Sequence, residues 1–154
     1  NAYCQDNQLS WFDWSGIEKH ADLLHFVRGL INFIQAREIF RQEQILAGKE
    51  ETREPHIIWH GIRLGQPDWG YNSHSLAFTL RHPASGEHLH VMLNAYWESL
   101  VFELPPLSTR ECWHRIVDTA LPPPSDFCNL ETAPPITGYS YRLEARSSVV
   151  LIGF

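Results

Sequence analysis

The side chains that could do chemistry are few and poorly grouped. Acid–base catalysis by carboxylates needs two of them close together, with burial or a like-charged neighbour to separate their pKa values. Asp6 and Asp13 stand in an aromatic stretch without such a pairing, and Glu50, Glu51 and Glu54 belong to a run of charge that water should solvate. Cys4, Cys112 and Cys128 form no CxxC pair, which excludes a zinc ribbon or a thioredoxin-like centre. Cys112 and Cys128 also lack a paired histidine motif, so a thiol nucleophile is not expected. His88 and His90 would share one strand face with His82 across the turn, and three imidazoles can bind a transition metal. No cysteine or carboxylate pattern joins them, and a solvated strand face explains them more simply. No catalytic residue, metal or cofactor is therefore expected.

The tryptophans offer a different chemistry. Sugar rings carry apolar C–H faces that stack on exposed aromatic rings. Of Trp59, Trp69, Trp97 and Trp113, two fall at loop positions: Trp69 after Pro67-Asp68, and Trp97 after Asn94-Ala95-Tyr96. They are the candidates for stacking on a sugar chain. Burial in the core, or contact with a neighbouring domain, are the alternatives.

The elements that must position these groups divide the chain in two. Residues 1–15 alternate aromatic and polar side chains without period and read as an ordered loop. Ser15 with Glu18 has the form of a capping box. From Ile17 to Phe40 the apolar residues fall on one sector roughly 200° wide at helical spacing, whereas a helix lying on one surface needs only about 100°. Such a helix, about 35 Å long, is shaped to touch two surfaces, and a small domain would cover only part of it. If Leu23, Phe26, Leu30 and Phe33 face an absent partner, the isolated chain should self-associate. Residues 45–54 read as a charged linker. Beyond Pro55 the period changes to two. Strands are expected at 57–63, 76–80, 89–93, 100–104, 113–118, 139–145 and 148–152, with proline and glycine turns between them. Seven short strands without a helix among them describe an antiparallel β-sandwich over 55–154, preceded by a loop and helix over 1–44.

The bulk properties narrow the function further. The chain has 154 residues, 12 basic and 18 acidic, for a net charge of -6. No lysine or arginine cluster occurs, which argues against nucleic acid or an anionic membrane as partner. The longest helical stretch carries His25, Arg28 and Asn32 and is no membrane span. Three widely spaced cysteines suit a reducing compartment, here read as cytoplasmic. The chain starts with Asn rather than Met, which is expected of an excised fragment.

The opening segment Asn1–Asn7 (NAYCQDN), followed by Leu9–Trp14 (LSWFDW), resembles glycogen debranching enzymes and isoamylases of the α-amylase superfamily, glycoside hydrolase family 13. Trp59–Gly61 (WHG), Gln66–Trp69 (QPDW), Ser75–Phe78 (SLAF), Asn94–Trp97 (NAYW) and Trp113–Thr119 (WHRIVDT) are similar to that family's C-terminal β-domain. One departure is Gln35–Glu38 (QARE), where many relatives carry a basic stretch ending in His-Pro. The resemblance implies that the opening segment follows the eighth strand of a (β/α)8 barrel and that the helix is the barrel's last. It implies an enzyme hydrolysing α-1,6 branch linkages of glycogen or limit dextrin with retention. Such an enzyme needs two carboxyl groups about 5–5.5 Å apart. The family supplies its carboxylates from earlier barrel strands, and nothing here matches those motifs. The chain alone is thus expected to be inactive, with the catalytic barrel of its parent as partner and α-glucan bound through that parent. Barrel active sites are built from loops after the strands, so Tyr3, Gln5, Asp6 and Asn7 become candidate substrate contacts. Hydrogen bonding within the loop is the other role open to them. The alternatives for the whole are a carbohydrate-binding module using surface tryptophans, and a structural domain without sugar affinity.

Overall fold

The computed structural model describes residues 3–41 and 55–154. The expected linker at 45–54, with Glu50, Glu51 and Glu54, lies outside them. Seven strands form: β1 (His56–His60), β2 (Ser75–His82), β3 (Glu87–Asn94), β4 (Leu100–Glu103), β5 (Trp113–Asp118), β6 (Ser140–Leu143) and β7 (Ser147–Gly153). Five of them build an antiparallel sheet in the order β1-β2-β3-β7-β5, and β4 pairs with β6 in a second, two-stranded sheet. The fold is mainly β, an antiparallel sandwich of unequal layers.

Alternation assigns each strand residue to a face. On one side of the large sheet Leu80, Leu89, Ile116 and Ile152 gather with Phe127. On the other, Met92, Val149 and Leu151 pack with Trp113 and with Phe102 and Leu143 of the small sheet. Both faces are therefore covered. Residues that read as the polar half of an alternating strand, such as Thr79 and His90, are buried as well.

The first face is covered by a helix shorter than expected. The helical pattern over 17–40 resolves into α1 (Gly16–Lys19), α2 (Ala21–Gln35) and a 3₁₀ turn (Glu38–Phe40). His20, at φ -121° and ψ 35°, leaves the helical region and separates α1 from α2. At about 1.5 Å per residue α2 spans roughly 22 Å, not 35 Å. The expected Ser15 cap is also corrected. Ser15 makes no side-chain cap; its amide and hydroxyl instead donate to Asp13 Oδ1 at 3.0 and 2.6 Å. These bonds hold the Asp13 carboxyl below its ordinary pKa. Ser15 itself has helical backbone angles, φ -64° and ψ -21°, rather than the extended ones from which a capping oxygen accepts the amides of the first turn.

Phe33 is buried in the helix-side cluster, and Phe26 and Leu30 pack against it. Gly29 lets α2 approach closely, because a Cβ there would lie 2.6 Å from the Phe127 ring. Glu87 of β3 then accepts the amide of Ile39 at 2.8 Å, which fastens the 3₁₀ turn to the sheet. Of the four residues expected to face an absent partner, Phe26, Leu30 and Phe33 face the sandwich instead. Leu23 remains exposed, together with Leu24, Val27, Ile31 and Ile34. The two stripes lie on adjacent sectors of α2. The wide apolar face is real, and half of it is uncovered.

Candidate functional site

The opening loop is held by its own side chains. Trp11 Nε1 donates to Asp6 Oδ1 at 2.8 Å, and Asn7 Nδ2 to Gln5 Oε1 at 3.2 Å. The amide of Leu9 donates to Asn7 Oδ1 at 3.0 Å, and Ser10 Oγ donates to the Gln5 carbonyl. Tyr3, Trp11, Phe12 and Trp14 project into solvent, with Phe12 and Trp14 edge to face at 4.9 Å. Gln5, Asp6 and Asn7 thus shape the loop from within, on a chain segment that presents an aromatic surface.

The second constellation arises where three separate motifs converge. In β1, Trp59 faces the same side as its partner Phe78, and Leu76 and Leu93 pair on that side further along. This is the helix-covered face, at the end of the strands that α2 does not reach. Three features shape the loop after β1. Gly61 permits an approach that a Cβ would block at 2.3 Å from the Gln66 carbonyl. The Gly65 amide donates to His60 Nδ1 at 2.8 Å. The Gly70 amide donates to Asp68 Oδ1 at 2.8 Å. The loop delivers Trp69 edge to face against Trp59 at 5.4 Å, with Trp59 also 5.4 Å from Phe78.

Buried Asn94 fixes the loop after β3. Its Nδ2 donates to the carbonyls of Glu98 and Glu144, both at 2.9 Å, while its Oδ1 accepts the Tyr96 amide at 3.0 Å. The Tyr96 and Trp97 rings are tilted by 32° with centroids 3.9 Å apart, and His74 is 6.4 Å from Trp97. Asp68, Trp69, Gly70, Ser73, His74, Ser75, Leu76, Leu93 and Ala95 enclose an open cleft of about 350 Å³. Trp69 and Trp97 are exposed at 65% and 61%, as their loop positions implied. Trp113 is buried and donates from Nε1 to the Pro105 carbonyl at 2.8 Å. Sequence reasoning named Trp69 and Trp97 but missed His74, Asp68 and Ser73, which have no signal of their own outside the turn.

The histidines do not make a solvated face. His90 has no exposed surface. Thr79 Oγ1 lies 3.0 Å from His60 Nε2 and 2.9 Å from His90 Nδ1. Because His60 Nδ1 accepts the Gly65 amide, His60 donates to Thr79, and Thr79 donates to His90. His90 Nε2 meets no hydrogen-bond partner. Burial, with the neighbouring His60 imidazole as a second cause, lowers the His90 pKa to about 3. His88 is half-buried, and its pKa is lowered by burial and by Arg81. His82 lies on the opposite face of the sheet, because β2 and β3 pair Thr79 with His90 and His82 with Glu87. Among the described residues, no group of three His, Cys, Asp or Glu could hold a metal ion.

Two further polar groupings complete the inventory. Cys112 does have a histidine neighbour: its Sγ is 3.6 Å from His114 Nε2, an exposed pair produced by the two-residue repeat of β5. His114 in turn stacks on Phe154 at 4.0 Å. Tyr141 donates to Asp118 Oδ2 at 2.7 Å and ties the two sheets together. Burial and that bond push its hydroxyl pKa up to about 12. The described carboxylates thus serve as turn and loop anchors, and the fold is that of a sandwich domain with an aromatic cleft and a half-covered helix.

The family whose sequence pattern is described as Isoamylase 1-3, C-terminal, matches residues 58–149, and the chain belongs to it. Isoamylase 3 of Oryza sativa subsp. japonica is 29% identical over 153 residues, 98% of this chain and 18% of that protein. Isoamylase SU1 of Zea mays is 33% identical over 129 residues, covering 82% and 15%. A glycogen debranching enzyme of Pectobacterium atrosepticum is 34% identical over 110 residues, covering 68% and 15%. The chain therefore spans less than a fifth of the length of these relatives. The crystal structure of GBS pullulanase SAP in complex with maltotetraose shares the fold, with a TM-score of 0.57 and 21% identity over 92% of this chain and 18% of that one. No helix among the described residues is long and apolar enough to cross a membrane.

Proposed function

We propose that the chain is the C-terminal, non-catalytic part of an enzyme that hydrolyses α-1,6 branch linkages in glycogen or starch. Family membership supports the assignment, and one observation of the structure carries its non-catalytic side. Helix α2 packs Phe26, Leu30 and Phe33 on the sandwich while Leu24, Val27, Ile31 and Ile34 stay in solvent. A contiguous exposed aliphatic stripe of this kind marks a protein interface. Its partner in this reading is the catalytic (β/α)8 barrel of the same parent chain, with α2 as the barrel's last helix. The sandwich then stabilises the barrel by covering that helix's other side.

In the same reading the loop over 3–15 stands at the barrel's catalytic face. There Tyr3, Gln5, Asp6 and Asn7 meet glucose hydroxyls, their mutual hydrogen bonds holding the loop in shape beforehand. The three free thiols support a reducing compartment such as the cytoplasm. The test is release of reducing ends from limit dextrin. This chain joined to a preceding barrel with its three carboxylates should release them, and the pure chain should not. Release by the pure chain overturns the reading.

A further inference from the structure

Beyond the opening loop, two exposed apolar surfaces among the described residues differ in chemistry. The α2 stripe is aliphatic, and it suits a protein surface. The cleft at the other end of the sheet is aromatic with a polar rim. Trp69 and Trp97 expose most of their rings, and Tyr71, two residues after Trp69 in the chain, is fully exposed. Asp68, Ser73 and His74 line the cleft with Trp69 over a floor of Leu76 and Leu93, and Trp97 stands 6.4 Å from the His74 ring. We infer that this Trp69–His74 cleft, with Trp97 next to His74, is a binding site for a linear α-1,4-glucan segment, separate from any catalytic centre. The polysaccharide class rests on the proposed function above.

A glucose unit is amphiphilic in the same way. Its C–H faces stack on indole rings, and its equatorial hydroxyls need donors and acceptors at the ring edge. Asp68 keeps Oδ2 for this purpose while Oδ1 accepts the Gly70 amide. The site is also held in place before any ligand arrives. The Gly61 close approach, the Gly65–His60 and Gly70–Asp68 bonds, and the Asn94 anchors fix both tryptophan loops. The Ala95 amide, donating to the His74 carbonyl at 2.8 Å, joins one loop to the other. Immobilised loops lower the entropy that binding must overcome. The volume of about 350 Å³ lies at the small end of ligand sites, which fits one or two sugar rings in an open cleft rather than a buried ligand. Single-cleft binding of this kind is weak for a free oligosaccharide. On a branched polymer the many equivalent chains multiply it.

Affinity electrophoresis of the chain in native gels containing amylopectin provides the test, with gels containing hydroxyethylcellulose as the β-linked control. The wild type should be retarded by amylopectin at least two-fold relative to a ligand-free gel. Trp69→Ala and Trp97→Ala should each abolish most of the retardation. Their urea midpoints should stay near the wild type, because both rings are largely in solvent. His74→Ala should weaken retardation without changing the fold. Unchanged wild-type mobility in amylopectin overturns the inference and leaves these rings as contacts for a neighbouring domain. Equal retardation in both gels overturns the α-glucan assignment. Limit-dextrin hydrolysis by the barrel-bearing protein is read separately. Absence of that activity with wild-type retention intact counts against the parent enzyme reading, and absence of wild-type retention with hydrolysis intact counts against the cleft alone.

Discussion

Gly29 offers a test in which the ordinary rule and the structure predict opposite signs. In an exposed helix interior, Gly→Ala stabilises by about 1 kcal/mol. Here the new Cβ would lie 2.6 Å from both Cδ1 and Cε1 of Phe127 and 2.9 Å from Cζ. Carbon contacts favour about 3.5–4.0 Å, so three ring atoms are overlapped by about 0.6–1.4 Å. The ring has little room to yield, being buried and packed edge to face against Phe26 and His25, each at 6.5 Å. Overpacking of a core costs about 1–3 kcal/mol, and three simultaneous overlaps argue for the upper part of that range. The net expectation for Gly29→Ala is a loss of about 1–2 kcal/mol. Urea unfolding followed by circular dichroism would read it directly. In a Phe127→Leu background the same substitution should cost at least about 0.5 kcal/mol less, the coupling expected of residues in contact. A stabilising Gly29→Ala, or an equal cost in both backgrounds, would refute the docking of α2 on the sandwich.

Three other outcomes follow from the same coordinates. Val27→Glu with Ile31→Glu places charge on the uncovered stripe. It should reduce self-association and hydrophobic-dye binding of the isolated chain while leaving the urea midpoint nearly unchanged; wild-type protein that is monomeric and binds no dye would contradict the exposed stripe. Tyr141→Phe leaves the buried Asp118 carboxylate without its 2.7 Å donor and should cost about 1–3 kcal/mol, so a urea midpoint equal to wild type would count against the inter-sheet tie. For His90 the folded pKa, about 3, lies below the ordinary 6.5. Between those values the unfolded chain binds the extra proton, so stability should fall as pH drops through 6.5 and stop falling from this source below about 3. His90→Gln should flatten the decline measured between pH 7 and pH 4, and an unchanged slope would show that His90 is not the group responsible.

How much of this was legible in the sequence depends on whether the signal was local. The strands were visible because Leu76, Phe78 and Leu80, or Leu89, Val91 and Leu93, repeat at period two, and their ends came within a few residues. The wide apolar sector of the helix was legible in the sequence. Which half met the sandwich was not, because that depends on Phe127, about a hundred residues further along. The break at His20 comes from backbone angles that no residue type there dictates. His88 and His90 read as a solvated face because the two-stranded sheet that buries His90 is assembled from Phe102 and Leu143, distant in sequence from β3. Cys112 and His114 could have been paired, since residues two apart on a strand share a face. Trp69 and Trp97 were identifiable as loop residues. That Trp69 lines a cleft with Asp68 and His74, and that Trp97 comes within 6.4 Å of His74, needed the β1-β2-β3 meander, which carries the ends of β1 and β3 to the same edge.

The central claim is that α2 is a shared helix, with the sandwich on one side and a catalytic barrel on the other. Hydroxyl-radical footprinting of α2 in this chain alone and in the chain joined to its barrel measures that most directly. The account predicts strong labelling of Leu24, Val27, Ile31 and Ile34 in the isolated chain and marked protection in the barrel-bearing protein, with Phe33 protected in both. Equal labelling of the stripe in the two forms would contradict it.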